Sequence, residues 1–418
     1  MRDVAPNGSA LKLVQRFFFS LSLALCGVLA AMVIAEALLR IAGFSYLGFL
    51  YRSDRDLGWT LRPNLNGERW NEGGRVRFET NHAGLRDVEH AQDKPPGTLR
   101  IAVLGDSFTE AQALALKRTF WWVMQAELQR CPVSAQRRVE AVNFGVSAYG
   151  PAQELIMLQK RVWEYSPDVV LLAFYPGNDV TDSSPQLNGG RPRPYFYLRG
   201  GDLVLDNSFR RSALYRARRR RLYRFYVALS NHLRVLQLID YARDVFHGGR
   251  IGSRLSRASP PGSGRLPFSS SLDSFTLTTV EAGDKRTWEE TWRTIGAILA
   301  AAHRAALRHH ALFMVVVLST SEEVYPDPAA RAAYQRRWQI DNLFSINQKV
   351  VEIGQRNGFE VFDLGPPLQH YADANRAYLH GYPAVMPGYG HWNALGHQVA
   401  GSLIARRLCA LLTAGAGK

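Results

Sequence analysis

The sequence predicts an α/β protein: a doubly wound, three-layer sandwich of about five parallel strands. One N-terminal transmembrane helix precedes it and a basic helical insertion interrupts it. Three observations carry this expectation. From Leu99 onward, short continuous apolar runs alternate with longer stretches of helical periodicity. Phe17 to Ala35 runs without a single charge. Thirteen arginines crowd the stretch from Arg210 to Arg257, against two acids, Asp240 and Asp244.

The N-terminal run comes first. Its nineteen residues, "FFFSLSLALCGVLAAMVIA", span about 28 Å as a helix, close to a bilayer's hydrocarbon thickness. A secretory signal has a shorter apolar core, so an uncleaved anchor over 17–42 is favoured. Ala35-Glu36-Ala37 nevertheless resembles a cleavage site. Arg2, Lys12 and Arg16 against Asp3 keep the tail, 1–16, in the cytoplasm. A single-pass protein of the cytoplasmic membrane follows, its body on the extracytoplasmic side.

Residues 43–98, rich in Gly, Asn and aromatics ("DLGWTLRPNLNG", "NHAGLRD"), read as short strands and turns. The sandwich domain occupies 99–418. Its strands are "LRIAVLG" (99–105), "VEAVNFG" (139–145), "DVVLLAFY" (168–175), "ALFMVVVLS" (311–319) and "FEVFDL" (359–364). Helical patterns lie near 120–129, 153–165, 287–308, 329–355 and 394–412. Fully apolar strands imply a parallel sheet covered on both faces, and a flavodoxin-like order is the simplest winding. An insertion, about 182–281, separates the third and fourth strands. Leu222, Phe225, Tyr226, Leu229, Leu233 and Leu236 give its middle a helical stripe, and "SRLSRASPPGSGRLP" reads as linker.

The net charge is +15, and the Arg210–Arg257 segment alone supplies +11 of it. The basicity is local. Nucleic acid is disfavoured as a partner outside the cytoplasm. Anionic lipid headgroups and an anionic polysaccharide stay open, with lipid favoured by the apolar face beside the arginines. Three cysteines are too few for a disulfide framework.

In a doubly wound sheet the site lies outside the carboxyl ends of the strands. The first strand runs into "GDSFTEAQ", the second into "NFGVSAYG", the third into "YPGNDV", and "HWNALGH" stands just before the last helix. Ser107, Gly145, Asn178 and His391 therefore converge on one rim. A serine on a turn at a helix start exposes its hydroxyl, and nearby N–H groups face a developing oxyanion. Gly145 offers a close backbone approach, Asn178 an amide donor and His391 a base. Asp106 and Asp179 are expected to brace the turns that carry their neighbours. His397, inside the last helix, is expected to pack rather than react. No His/Cys cluster stands near Asp179, so neither a metal nor a cofactor is expected.

Gly105-Asp106-Ser107, Gly145, Gly177-Asn178-Asp179 and "HWNALGH", in that order, resemble the four blocks of the SGNH/GDSL hydrolase family. The resemblance spans roughly residues 100–400. It implies ester or acyl-transfer chemistry, with Ser107 as nucleophile, His391 as base, and Ser107 N–H, Gly145 and Asn178 as oxyanion donors. The anchor, the "GLRD" stretch and the Trp after the His also resemble membrane-anchored members and the alginate O-acetyltransferase group. An acylated carbohydrate of the cell surface is the substrate this implies.

One position departs from the family pattern, which places Asp two or three residues before the catalytic His. Here those residues are Tyr389 and Gly388. Asp373 or Asp363 could be recruited, or a backbone carbonyl could orient the imidazole. The missing acid also motivates a second reading, an inactive glycan-binding or scaffolding descendant. The winding brings the ends of the first and last helices together, placing Cys131 near Cys409. Export would permit a bond, and two unpaired buried thiols are the favoured alternative.

Overall fold

The computed structural model describes residues 8–257, 285–382 and 387–416. Helix α1 (Gly8–Ile41) contains a segment, Gln15–Ile41, with mean hydropathy 2.5, long and apolar enough to cross a membrane. Two antiparallel hairpins follow, β1 (Tyr51–Asp54) with β2 (Gly58–Leu61) and β3 (Asn66–Asn71) with β4 (Gly74–Glu79). The chain then alternates through β5 (Thr98–Leu104), α2 (Ser107–Glu110), α3 (Phe120–Leu128), β6 (Arg138–Asn143), α4 (Pro151–Lys160), β7 (Val169–Phe174) and α5 (Asp179–Asp182). The insertion holds a third hairpin, β8 (Tyr195–Arg199) with β9 (Asp202–Asp206), and helices α6 (Ala213–Arg218), α7 (Arg221–Ser230) and α8 (Arg234–Arg257). Helix α9 (Lys285–Arg308), β10 (Leu312–Val317), α10 (Pro328–Trp338), α11 (Ser345–Asn357), β11 (Glu360–Asp363), α12 (Gly365–Asn375) and α13 (Ala394–Ala416) complete it.

The central sheet is five-stranded and parallel, in the order β11-β10-β7-β5-β6. This is the flavodoxin-like order. Strand β7 shows why it forms: all six residues of "VVLLAF" are buried, and strands covered on both faces need no polar alternation. Helices α4, α9 and α11 pack one face; α3, α12 and α13 pack the other. Each Val or Leu so buried contributes about 1.5–3 kcal/mol relative to exposure. The chain leaves β5 for β6 and returns to β7 on the opposite side of β5. The winding reverses there, so a crevice opens at the carboxyl ends of β5 and β7.

Several expectations are corrected. The single helix expected over 329–355 is two, α10 and α11, because Gln339 takes a left-handed conformation (φ 55°) at the end of α10. The first helix, expected to start near Ser107 and run to about Gln129, is two: Ala111 (φ 51°) ends α2 after one turn, and α3 begins at Phe120. The insertion carries a hairpin besides its helices. Its apolar stripe is split between α7 and α8 rather than lying on one helix, and Leu222 on α7 is 83% exposed. Most of the linker-like stretch lies outside the described residues. Cys131 and Cys409 are bonded, their α-carbons 5.9 Å apart, because α3 and α13 lie side by side. The expectation of unpaired thiols is thereby reversed.

Candidate active site

The turn after β5 sets the site. Gly105 takes φ +153°, and a Cβ there would meet Thr109 Oγ1 at 2.2 Å. Asp106 then caps α2, accepting from the Phe108 N–H at 2.9 Å. Its other oxygen accepts from Asn178 Nδ2 at 3.1 Å. One buried carboxylate thus ties the serine turn to the turn after β7. Burial pushes Asp106 up to about 6, against the opposing pull of the Phe108 N–H, the nearby His391 and Asn178. Asp179 accepts from the Tyr175 N–H at 2.8 Å and braces the second turn from below.

Ser107 Oγ lies 2.8 Å from His391 Nε2. His391 stands on a short hairpin-like return: the Gly381 N–H donates to His391 O at 2.9 Å, and the Gly388 N–H to His380 O at 2.8 Å. A buried chain of hydrogen bonds fixes that return. His380 Nδ1 donates to Gly390 O at 2.6 Å, since a carbonyl can only accept. Its Nε2 must then accept from Ser319 Oγ, at 3.2 Å, while the Trp392 indole donates to the same oxygen at 2.9 Å. Burial holds His380 down at about 3, consistent with this neutral tautomer.

The other imidazole nitrogen meets an acid that the sequence did not advertise. His391 Nδ1 lies 2.5 Å from Glu72 Oε1. Glu72 occupies the two-residue turn between β3 and β4, well before the parallel sheet begins. Asn71 anchors the turn, donating to Gln112 O and accepting from the Gly73 N–H, both at 2.9 Å. At Gly73 a Cβ would strike Ala113 O at 2.1 Å, so the hairpin tip seats flat on the loop after α2. At Gly390 a Cβ would crowd Glu72 Oε2 at 3.1 Å. The glycine beside His391 leaves room for the carboxylate.

The acids considered from sequence lie elsewhere. Asp373 forms a two-armed pair with Arg331 at 2.7 and 2.8 Å. Asp363 accepts from Asn347 Nδ2 at 2.8 Å and from the Gly365 N–H at 2.9 Å. Tyr389 packs against the Tyr334–Ile340–Leu343 cluster. His397 is buried and accepts from the Phe120 N–H at 3.1 Å, a packing role as expected.

Gly145 also needs correction. Its N–H donates to Asn143 Oδ1 at 2.8 Å, and a Cβ there would meet Thr109 at 2.5 Å. Its glycine character serves packing behind the turn. The residue that reaches the site is Ala148, left-handed at φ 60°. Two clefts, of about 390 and 470 Å³, meet at Ser107, Ala148, Asn178 and His391. No backbone hydrogen bond engages the Ser107 or Ala148 N–H among the described residues. Glu110, buried, holds the Ala148 loop by accepting from the Ser147 N–H at 2.5 Å and from Tyr51 OH at 2.9 Å. From the "GLRD" stretch, buried Arg86 donates to the carbonyls of Glu110, Ala111 and Leu114, and Asp87 accepts from the Asn143 N–H.

No family model matches the sequence, and no curated protein does. Solved structures show similarity to it. One is an acetylxylan esterase from Geobacillus stearothermophilus, at 11% identity and TM-score 0.35, covering 74% of this chain and 94% of that one. Another is a putative lipolytic protein of the G-D-S-L family from Desulfitobacterium hafniense, at 12% identity and TM-score 0.33, covering 74% and 99%. A two-domain esterase active on acetylated mannans gives 10% identity and TM-score 0.36, covering 76% and 50%. Two of these neighbours are esterases and the other is described as a putative lipolytic protein. At such identities and scores they lend this chain no activity, and its chemistry has to be read from its own residues.

Proposed function

We propose that this chain is a membrane-anchored serine esterase or O-acyltransferase, with Ser107, His391 and Glu72 as its triad. The observation that carries the reading is the unbroken line Ser107 Oγ–His391 Nε2 and His391 Nδ1–Glu72 Oε1, at 2.8 and 2.5 Å. Ser107 Oγ attacks the ester carbonyl while His391 Nε2 takes its proton; Glu72 holds the imidazole's tautomer and stabilises the imidazolium. The Ser107 and Ala148 N–H groups and Asn178 Nδ2 face the oxyanion, with Asp106 fixing the Asn178 amide. His391 then returns the proton to the departing alcohol, leaving an acyl-Ser107. Water or a second hydroxyl attacks that acyl group in turn, which makes the enzyme a hydrolase or a transferase.

Two clefts flanking Ser107 suit an ester with a group of appreciable size on either side of the reacting carbonyl. We take the substrate to be an O-acetylated polysaccharide of the cell surface, reached from a body held outside the cytoplasmic membrane by α1. The scaffold reading rested on the absence of an acid beside His391, and the Glu72 contact speaks against it. A fluorophosphonate probe tests the proposal on the full chain: wild type should label and Ser107→Ala should not. Folded wild type that fails to label and releases no acetate from acetylated xylan contradicts it.

A further inference from the structure

We propose that α7, α8 and the arginine groove beside them form a docking surface for anionic phospholipid, in the leaflet where α1 ends. The inference rests on α1 being a membrane anchor and is independent of the ester chemistry.

The groove, about 500 Å³, is lined by Arg52, Arg55 and Arg62 from the first hairpin and by Arg218, Arg219 and Arg224 from the insertion. Asp54 is the one acid in its wall, and it is already engaged by Arg161 at 2.5 Å and by two backbone N–H groups. Arg62 donates to backbone carbonyls and Arg219 to Tyr215 OH, contacts that neutralise neither charge. Two segments distant in sequence thus bring six guanidinium groups to one depression without a free carboxylate. Arginine's planar fork suits phosphate oxygens.

A solvated charged face would explain arginines alone. It does not explain the large apolar side chains among them: Leu222 and Phe225 on α7 and Ile239 and Val245 on α8 are all exposed. Basic residues on one side and exposed Leu and Phe on another mark a helix that lies in a bilayer interface.

Position selects the occupant. The Val235 N–H, at the start of α8, donates to Glu36 at 3.0 Å, and Arg40 donates to His232 O at 2.7 Å. Both partners lie in the last turns of α1. Helix α7 ends at Ser230, just before this junction, and its ten residues extend about 15 Å. Ridge and groove are therefore held within a short reach of the span's end. Trp70, half exposed on β3, stands edge-on to Tyr241 of α8 with ring centres 5.0 Å apart, and Phe44 packs on the same tyrosine. Such aromatic groups gather at headgroup level. Trp70 shares its hairpin with Glu72, so the leaflet would lie close to the element that supplies the acid.

The full chain in lipid nanodiscs tests this, with Cys26→Ser and a nitroxide on Leu222→Cys. Access of oxygen relative to a water-soluble nickel chelate reports depth. With phosphatidylglycerol mixed into phosphatidylcholine, that ratio should exceed the ratio at a Leu307→Cys control by about tenfold, as for an apolar face buried at the interface. Joint replacement of Arg218, Arg219 and Arg224 by Gln should return it to the value in pure phosphatidylcholine, while excess inorganic phosphate should leave it unchanged. Equal chelate access at both labels overturns the proposal, as does a depth indifferent to phosphatidylglycerol and to the arginines. Reversal by free phosphate assigns the groove to a soluble anion, and reversal by a soluble polyuronate assigns it to polysaccharide; either overturns the lipid. Far-UV circular dichroism and melting temperature, measured on each variant, report folding separately.

Discussion

Glu72 Oε1 and His391 Nδ1 stand 2.5 Å apart, although one lies in the turn of the β3–β4 hairpin and the other just before the last helix. The acid of the proposed triad thus comes from outside the parallel sheet and its helices. The hairpins of residues 51–79 are part of the site's construction, since Tyr51 also braces the Ala148 loop through Glu110.

The acids nearest His391 in sequence should be catalytically silent. Asp373→Asn breaks a pair with Arg331 and is expected to lower melting temperature while leaving kcat on an aryl acetate within about twofold of wild type, far from the ~10⁴ loss of a triad acid. Tyr389→Asp places a carboxylate against the Tyr334–Ile340–Leu343 cluster. It should destabilise the fold and should not rescue Glu72→Ala. Rescue would mean that the return before His391 can be repacked.

The oxyanion donors separate by the same assay. Asn178→Ala should lower kcat by about 10²–10³ with little change in KM, the usual loss of one donor. Ala148→Gly keeps the N–H and relieves a left-handed alanine, whose cost is roughly 1–2 kcal/mol. Activity should persist and stability should not fall. Gly145→Ala should instead cost stability, because the new methyl meets Thr109.

Buried ionisable groups fix the sign of the pH dependence. Burial raises Glu154 well above 4.5, and Asp106 and Asp182 push it the same way. The folded state then binds a proton that the unfolded state has lost, so stability falls as pH rises from 4.5 through the raised folded value. His380 and His397, held down at about 3 by burial, work oppositely: stability falls as pH drops from 6.5 toward 3. Glu154→Gln should flatten the alkaline side of a melting-temperature profile and leave the acid side in place. An unchanged alkaline side would locate that slope in another group.

The Cys131–Cys409 bond closes a loop with a sequence separation of 278. On the chain-entropy view such a cross-link is worth at most about 5.6 kcal/mol. Cys131→Ser with Cys409→Ser should lower the melting temperature strongly, and denatured wild type should show one reactive thiol, Cys26.

How much of this could be read from sequence divides along physical lines. Strands β7 and β10 were legible because strands buried on both faces are apolar throughout, as "VVLLAF" is, whereas the edge strands β6 and β11 carry charges and show a shorter apolar signal. Ser107, Asn178 and His391 were legible because each stands where a strand or return meets a helix. Glu72 was not. A glutamate in an "NEGG" turn is ordinary turn chemistry, and its landing on His391 depends on how the hairpin tip seats on the loop after α2. Ala148 was hidden because the neighbouring Gly145 is the residue a sequence reader expects to meet a ligand. Its N–H is instead engaged by Asn143, two residues earlier. The closeness of Cys131 and Cys409 followed from strand order, but the bond did not: unpaired thiols were the favoured expectation, and α-carbon spacing is what decides such a pair.

Turnover of an aryl acetate by Glu72→Gln, measured on the full chain beside wild type and Glu72→Asp, bears most directly on the triad. Glutamine keeps the volume of the side chain and loses the charge that fixes the His391 tautomer. The account predicts a fall in kcat of about three to four decades, with KM little changed and part of the rate restored by Asp. Turnover by Glu72→Gln within a few-fold of wild type would contradict it.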